Sequence, residues 1–419
     1  MKIVCDNKIP FLRGVFEPYA GVVYLPGGET TPEVVRDADA VITRTRTVCD
    51  AALLAGSSVK VVASATIGFD HIDTAWCEAH GILWRNAPGC NADSVRQYVA
   101  AALCVLARRH GLRLDGMTLG VVGVGHVGSR VAEAASLLGM RVLLCDPPRA
   151  RAERCPIGSG MTNESDLTNE SDLTNGSSLP AATGNPFVSL DTICRESDIV
   201  TLHVPLSREG EDATWHLFDA ARLASLRPDQ FLINSSRGPV VDGAALKGAL
   251  RAKALGGAVL DVWEGEPEPD RELLALLDIA TPHIAGYSAD GKANGTMMSV
   301  RTVASVLGLP LTDWRPGSVP APAQPLSFTL DAAGKSRQEV LSEALLHTYD
   351  ILADDRALRA CPAVMAGPDR PSPVIRGDCF EQLRGDYPVR REPAAFTLRL
   401  QGGTPDLAET LSAFGFTVI

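Results

Sequence analysis

Short apolar runs alternate with stretches of helical period along the first two thirds of the chain. Lys2-Ile3-Val4, Ala40-Val41-Ile42 and Val59-Lys60-Val61-Val62 read as strands, with helical stretches at 32–37 and 51–54. From 117 to 284 the strand signals strengthen: Leu119-Gly120-Val121-Val122, Val142-Leu143-Leu144, Ile199-Val200-Thr201-Leu202, Phe231-Leu232-Ile233 and Gly257-Ala258-Val259-Leu260. An apolar helix is expected over 129–138. Such alternation predicts βαβ units, and near-continuous Val, Leu and Ile runs suit a parallel sheet covered on both faces. The pattern lapses over 149–186, where Thr162-Asn163-Glu164-Ser165-Asp166-Leu167 recurs at 168–173 and, degraded, at 174–179. Six polar, acidic residues are too few for a solenoid unit and predict a flexible surface insertion. A proline-rich boundary at 310–325 opens a small α+β tail. It has helical period over 337–352, a strand at 395–400 and a last helix with Thr404 as cap and Pro405 in its first turn.

The 419 residues exceed one compact domain and predict two or three. Aromatics are only 5%, so aliphatic side chains must fill the cores. A net charge of −11 argues against a general nucleic-acid or acidic-membrane binder and leaves room only for local basic pockets. The longest apolar run, 98–107, falls short of the roughly 18 residues a membrane span needs. The N-terminal Met1-Lys2-Ile3-Val4-Cys5-Asp6 reads as a strand without a signal-peptide plan. The 10 cysteines are scattered, without C-x-x-C or zinc spacing, and predict reduced thiols, no metal site and a cytoplasmic protein.

Gly123-Val124-Gly125-His126-Val127-Gly128 lies between a strand and a helix. There the first glycine permits a tight turn, the second lets backbone approach a pyrophosphate, and the third lets helix and strand pack closely. His126 is expected to touch a dinucleotide through its backbone. Asp146, at the end of the next strand, suits the adenosine ribose hydroxyls and favours NAD; Arg149 nearby points the other way, to NADP.

Three later segments follow predicted strands: Asn234-Ser235-Ser236-Arg237-Gly238, Asp261-Val262-Trp263-Glu264-Gly265-Glu266-Pro267 and Thr281-Pro282-His283-Ile284-Ala285-Gly286. Open α/β sheets place ligands at such strand ends. Oxidising a secondary alcohol needs a base of near-neutral pKa, a carboxylate to orient it and a cation for the substrate. His283, Glu266 and Arg237 are those types. Each alone has a plainer reading, as packing or a solvated charge. His203 competes as the base, although Pro205 after it suggests a turn. His71, His80, His110, His216 and His347 read as surface or packing residues.

In order and spacing these motifs resemble the D-isomer-specific 2-hydroxyacid dehydrogenase family. The resemblance implies an α/β fold of two Rossmann-like domains with parallel sheets, a flavodoxin-like substrate domain and an NAD-binding domain, plus a small C-terminal α+β dimerisation domain. The implied boundaries are 1–95 with 286–320 for the discontinuous substrate domain, 96–285 for the NAD domain with a flexible insertion over 150–186, and 321–419 for dimerisation. Arg237 would bind the substrate carboxylate, His283 would be the acid/base and Glu266 its partner. The cofactor set would be Gly123, Gly125, His126, Val127, Gly128, Asp146, Val204, Ser235, Ser236, Asp261 and Gly286.

Asn86-Ala87-Pro88-Gly89-Cys90-Asn91, Leu144-Cys145-Asp146-Pro147-Pro148-Arg149, Arg237-Gly238-Pro239-Val240-Val241-Asp242 and His283-Ile284-Ala285-Gly286-Tyr287-Ser288 are similar to a branch of that family. Its substrate is a four-carbon phosphorylated hydroxy acid on the route to pyridoxal phosphate. Tyr349-Asp350-Ile351, Asp354-Asp355 and 380–391 resemble that branch's dimerisation domain, which implies a homodimer. The implied substrate contacts are Thr45, Thr66 and Tyr287. A substrate with two anionic ends needs two sites. Arg237 or an anion nest at Ala65-Thr66-Ile67-Gly68 can take the carboxylate, and Arg44 and Arg46 offer cations for the other end. Their plain reading is a solvated loop. A shorter phosphorylated acid, 3-phosphoglycerate, and a non-catalytic NAD-sensing protein are the alternatives.

Overall fold

The structure is a computed structural model that describes residues 1–154, 186–365 and 372–419. The acidic repeat at 162–179 lies outside the described residues. The chain divides into two compact units: 1–94 with 286–323 and 389–392, and 95–285 with 324–388 and 393–419.

The first unit carries β1 (Lys2–Asp6), β2 (Gly21–Leu25), β3 (Ala40–Thr43), β4 (Val61–Ser64) and β5 (Leu83–Arg85). They form a wholly parallel sheet in the order β2-β1-β3-β4-β5, the flavodoxin-like order. Successive strand residues face opposite sides. Ile3, Cys5, Ala40, Ile42, Val61 and Ala63 therefore enter one apolar cluster, with Val300 and Val303 of the helix Ala289–Leu307. Val4, Val41 and Val62 enter another. Because both faces are covered, these strands read as unbroken apolar runs. The edge strands β2 and β5 are only half-buried and escaped the sequence pattern.

The second unit carries β6 (Thr118–Val122), β7 (Arg141–Cys145), β8 (Ile199–Leu202), β9 (Phe231–Asn234), β10 (Gly257–Leu260) and β11 (Ile279–Ala280). All pair in parallel, in the order β11-β10-β9-β8-β6-β7. Phe187 adds a single parallel bridge to Leu144, outside β7. Counting it as a strand yields the dinucleotide-binding order, with the direction of winding reversing between β6 and β8. The same unit holds β12 (Ser327–Asp331), β13 (Ala363–Met365), β14 (Pro373–Ile375), β15 (Thr397–Gln401) and β16 (Thr417–Val418). β12, β15 and β16 make a parallel sheet, and β13 and β14 an antiparallel hairpin.

Local chemistry moved several boundaries. The helix expected over 129–138 spans His126–Leu137, because Gly125 already serves as its N-cap. The helical stretch at 337–352 is two helices, Arg337–Thr348 and Ile351–Ala360. Tyr349 is extended, and the Asp350 carboxylate accepts from the N–H of Ala353, which starts a new helix. The lapse expected from 149 begins later, since Pro147–Arg154 is helical. Thr404 caps Pro405–Ala413 as expected, accepting from Leu407 N–H. One expectation fails: Cys361 and Cys379 form a disulfide. Sequence spacing carries no sign of it, because the two are brought together only by the packing of Ile351–Ala360 against Gly377–Gly385. The free cysteines among the described residues are all buried.

Candidate active site

Six parallel strands put their carboxyl ends on one edge of the second unit's sheet. Gly123, Asp146, His203, Ser235, Asp261 and Thr281 each follow one of them. The glycine loop divides its labour as its chemistry requires. Gly123 has φ +85°, and a Cβ there would lie 2.6 Å from the His203 carbonyl oxygen. A Cβ on Gly128 would lie 1.9 Å from the Gly123 oxygen. At Gly125 a Cβ would meet no protein atom within 4 Å. Two glycines therefore answer to the packing of the chain and the third to open space at a helix N-terminus. This is the cradle a dinucleotide pyrophosphate fits.

The remaining cofactor candidates group around that loop. Val204 touches it, its Cγ1 standing 2.8 Å from a Cβ built on Gly123. The Asp146 carboxylate accepts from Val124 N–H at 2.8 Å and Arg149 N–H at 3.1 Å. A carboxylate has about four acceptor sites, so two remain for ribose hydroxyls. The Arg149 guanidinium donates to the Val124 carbonyl and lies over the Phe187 ring. His126 is exposed at the first helical position and Val127 is half-buried. Ser236 donates its hydroxyl to Asn234 Oδ1 at 2.8 Å, whereas the buried Ser235 Oγ has no hydrogen-bond partner.

His283 stands beyond β11 with φ +57°. Its backbone N–H donates to the Asp261 carbonyl at 2.7 Å, and its Nδ1 lies 2.8 Å from Glu266 Oε2. The other Glu266 oxygen accepts from Trp263 N–H at 2.9 Å. Burial pushes the Glu266 carboxyl up. The charge and hydrogen bond of His283, with the Trp263 N–H and the Arg384 charge, outweigh it and hold the carboxyl below its usual range. The buried Asp261 carboxylate takes Thr281 Oγ1 at 2.6 Å, Ile284 N–H at 2.8 Å and Ala285 N–H at 2.9 Å, so it builds the turn that presents His283. Tyr98 and Trp263 brace the same turn through Thr281, at 2.8 and 2.9 Å. Sequence order gives these supports no visible role; the nearest signal is Thr281, two residues before His283.

Arg237 follows β9, and its carbonyl is held by the Asn234 side chain at 2.9 Å. Gly238 rests on the neighbouring loop, since a Cβ there would be 2.0 Å from the Trp263 oxygen. His203, the rival base, is half-buried, bonded to Thr201 Oγ1 at 3.0 Å, and pushed down to about 3 by burial. It stays neutral. Two other histidines, His110 and His216, also stand beside carboxylates. They lie 2.7 Å from Asp278 and Glu264 respectively. A carboxylate partner alone therefore does not single out His283, which differs in standing at the carboxyl edge beside the Asp261 turn. A cavity of about 430 Å³ lined by Lys247, Trp263 and Glu264 contains none of Arg237, Glu266 or His283.

In the first unit, Arg44, Thr66, Gly286 and Tyr287 line one small cavity. Thr66 donates its hydroxyl to the Gly68 carbonyl at 3.1 Å. Gly286 is pressed against Asn91, where a Cβ would lie 2.2 Å from Nδ2. Thr45 and Arg46 are exposed and do not line it.

A family model for the NAD binding domain of D-isomer specific 2-hydroxyacid dehydrogenases matches residues 91–176 and 172–285, and a domain of unknown function (DUF3410) matches 323–415. The chain is 45% identical over 399 residues to a protein of Bacteroides fragilis, covering 95% of this chain and 99% of that one. It is 38% identical over 419 residues to a protein of Pseudomonas putida, covering both completely (100% each). The chain belongs to the D-isomer specific 2-hydroxyacid dehydrogenase family and is an oxidoreductase that uses NAD. Both relatives, and one from Porphyromonas gingivalis at 41% identity over 99% of this chain and 100% of its own, carry the name erythronate-4-phosphate dehydrogenase. Among solved structures, D-lactate dehydrogenase from Aquifex aeolicus, complexed with NAD and lactic acid, superposes with a TM-score of 0.57. At 24% identity, covering 77% of this chain and 100% of that one, it shows a shared fold.

Proposed function

We propose that the chain oxidises 4-phospho-D-erythronate at C2 to (R)-3-hydroxy-2-oxo-4-phosphooxybutanoate, a step towards pyridoxal 5′-phosphate. The observation that carries this reading is the His283–Glu266 contact of 2.8 Å, in the same unit as the open cradle at Gly125. Its support for the particular substrate is the near-full-length likeness to the erythronate-4-phosphate dehydrogenases.

NAD, when bound, accepts the C2 hydride. Gly123, Gly125, His126, Val127 and Gly128 hold its pyrophosphate, Asp146 its ribose, and Val204, Ser235 and Ser236 its flank. Asp261 keeps one acceptor site for the nicotinamide end, and Gly286 contributes backbone. The chain's own residues then manage the proton. His283 takes the C2 hydroxyl proton on Nε2 while Nδ1–H stays on Glu266, so the imidazolium forms beside an anion. Arg237 holds the carboxylate and draws electron density from the developing carbonyl. Arg44, Thr66 and Tyr287, which line one cavity, supply the contacts of the substrate unit; Thr45 and Arg46 lie outside that cavity.

NADH formation with 4-phosphoerythronate, 3-phosphoglycerate, glycerate and lactate tests this. The first is the preferred acid; clear preference for another refutes the substrate and leaves the family untouched. Two finer features belong to the same reading. The cytoplasm belongs to this reading, supported by the seven cysteines of the described residues that stay free and buried beside the Cys361–Cys379 bridge; no helix among the described residues is long and apolar enough to cross a membrane. Two copies pair through the C-terminal module, supported by β13, which is exposed at every residue and presents Val364 and Met365 on a hairpin of only two strands.

A further inference from the structure

The cavity shared by Arg44, Thr66 and Tyr287 lies wholly within the first unit and measures about 60 Å³. One water needs roughly 10–15 Å³ of such space. The cavity therefore takes about four to six oxygen-sized groups, the size of a phosphoryl group rather than of a whole four-carbon acid. Its lining includes two cations, Arg44 and Lys292, and among the described residues no carboxylate. Lys292 sits in the first turn of the 19-residue helix Ala289–Leu307, whose positive dipole end adds to the field. Its ammonium is held over the Tyr287 ring, 4.6 Å from the centroid.

Two further observations point to an anionic, hydrogen-bonding ligand. Burial first, and then the charges of Arg44 and Arg390, push Lys292 down to about 8. Cations are thus crowded where a bound anion would relieve them. Asn91 Oδ1, from the same lining, is buried without a hydrogen-bond partner and can accept from a substrate hydroxyl. Asp290, two residues before Lys292, is held by the Arg391 guanidinium at 2.9 Å.

We infer that Lys292, with Arg44, is the subsite for the distal phosphoryl group, and that it sets the preference for phosphorylated over unphosphorylated acids. This rests on the substrate reading above and adds a residue that reading does not contain. Arg46, the other cation expected from sequence, does not line the cavity.

The test pairs binding with kinetics on the NAD-loaded enzyme. Inorganic phosphate is titrated calorimetrically into wild type, Lys292→Gln and Lys292→Arg. The glutamine variant binds phosphate on the order of 10- to 100-fold more weakly, and the arginine variant recovers most of it. KM for 4-phosphoerythronate rises in step in Lys292→Gln, and kcat/KM falls much further for 4-phosphoerythronate than for erythronate. Phosphate binding equal to wild type in Lys292→Gln overturns the subsite, as does no phosphate binding by wild type. An equal loss with both acids overturns the specificity role. Wild type that binds phosphate through Lys292 yet does not oxidise 4-phosphoerythronate refutes the substrate reading and leaves the subsite standing.

Discussion

Nδ1 of His283 lies 2.8 Å from Oε2 of Glu266, and the other oxygen of that carboxylate accepts the N–H of Trp263. Both acceptor oxygens are thus committed, so the carboxylate cannot swing without giving up a bond. With Nδ1–H donated to that carboxylate, Nε2 carries the lone pair that the proposed base needs.

Glu266→Gln keeps the shape and removes the charge. We expect kcat to fall on the order of 100-fold, because the imidazolium that forms loses its anionic neighbour. NAD affinity stays as in wild type. Unchanged kcat would show that the contact does no catalytic work. Stability carries a second signature. The folded carboxyl is held below its ordinary value, so its contribution is complete above the unfolded pKa of about 4.3 and lost as pH falls through the folded value. Denaturant titrations of wild type should lose stability more steeply over that acid window than those of the variant.

His283→Ala should lower turnover by about 10²- to 10⁴-fold and leave NAD binding intact, as read by quenching of protein fluorescence. Near-normal turnover rules His283 out as the base and returns attention to the remaining histidines.

Gly125→Ala and Gly128→Ala separate ligand space from chain packing. At Gly128 the new methyl meets the Gly123 carbonyl at 1.9 Å, and the melting temperature should drop. At Gly125 it meets no protein atom within 4 Å, and φ is −78°, which alanine adopts. Thermal stability should hold there while NAD binds at least about tenfold more weakly. Equal NAD affinity in Gly125→Ala and wild type refutes the cradle.

Met365→Lys puts a charge on the exposed outer strand of the β13–β14 hairpin. Light scattering should report a dimer for wild type and a monomer for the variant, with unchanged circular dichroism. A dimeric variant moves the interface elsewhere.

The Cys361–Cys379 bridge closes a loop of sequence separation 18. Its reduction should cost about 3 kcal/mol of stability on the loop-entropy model. Protein isolated under oxidising conditions should be lighter by two hydrogens than the reduced form. Cys361→Ser should melt at the same temperature with or without reductant, unlike wild type. An oxidised wild type with no bridge in its peptide map ends this expectation.

Much of this was legible in the chain. Strands buried on both faces leave unbroken apolar runs, so β3, β6, β8, β9 and β10 are plain to see, whereas the half-buried edges β2 and β5 are not. The glycine loop and the Arg237, Glu266 and His283 segments were visible because each is a short covalent unit at the end of a strand. The turn that aims His283 was not. It depends on Asp261 gathering a hydroxyl and two amides from about twenty residues downstream.

Arg44 and Arg46 mark the same limit in the first unit. Two residues apart, they would share a face of a strand. But β3 stops at Thr43, and Thr47 donates its hydroxyl to the Gly27 carbonyl at 3.0 Å, tying the segment down beyond its strand. Arg44 lines the cavity and Arg46 does not; the second cation is Lys292, from a helix some 250 residues later in the chain. Backbone periodicity and bond-by-bond adjacency are written into the order of residues, and they determined the sheets and the chemical types at their ends. Which side chains converge is decided by packing over long separations, where burial and charge act through space and leave no periodic trace.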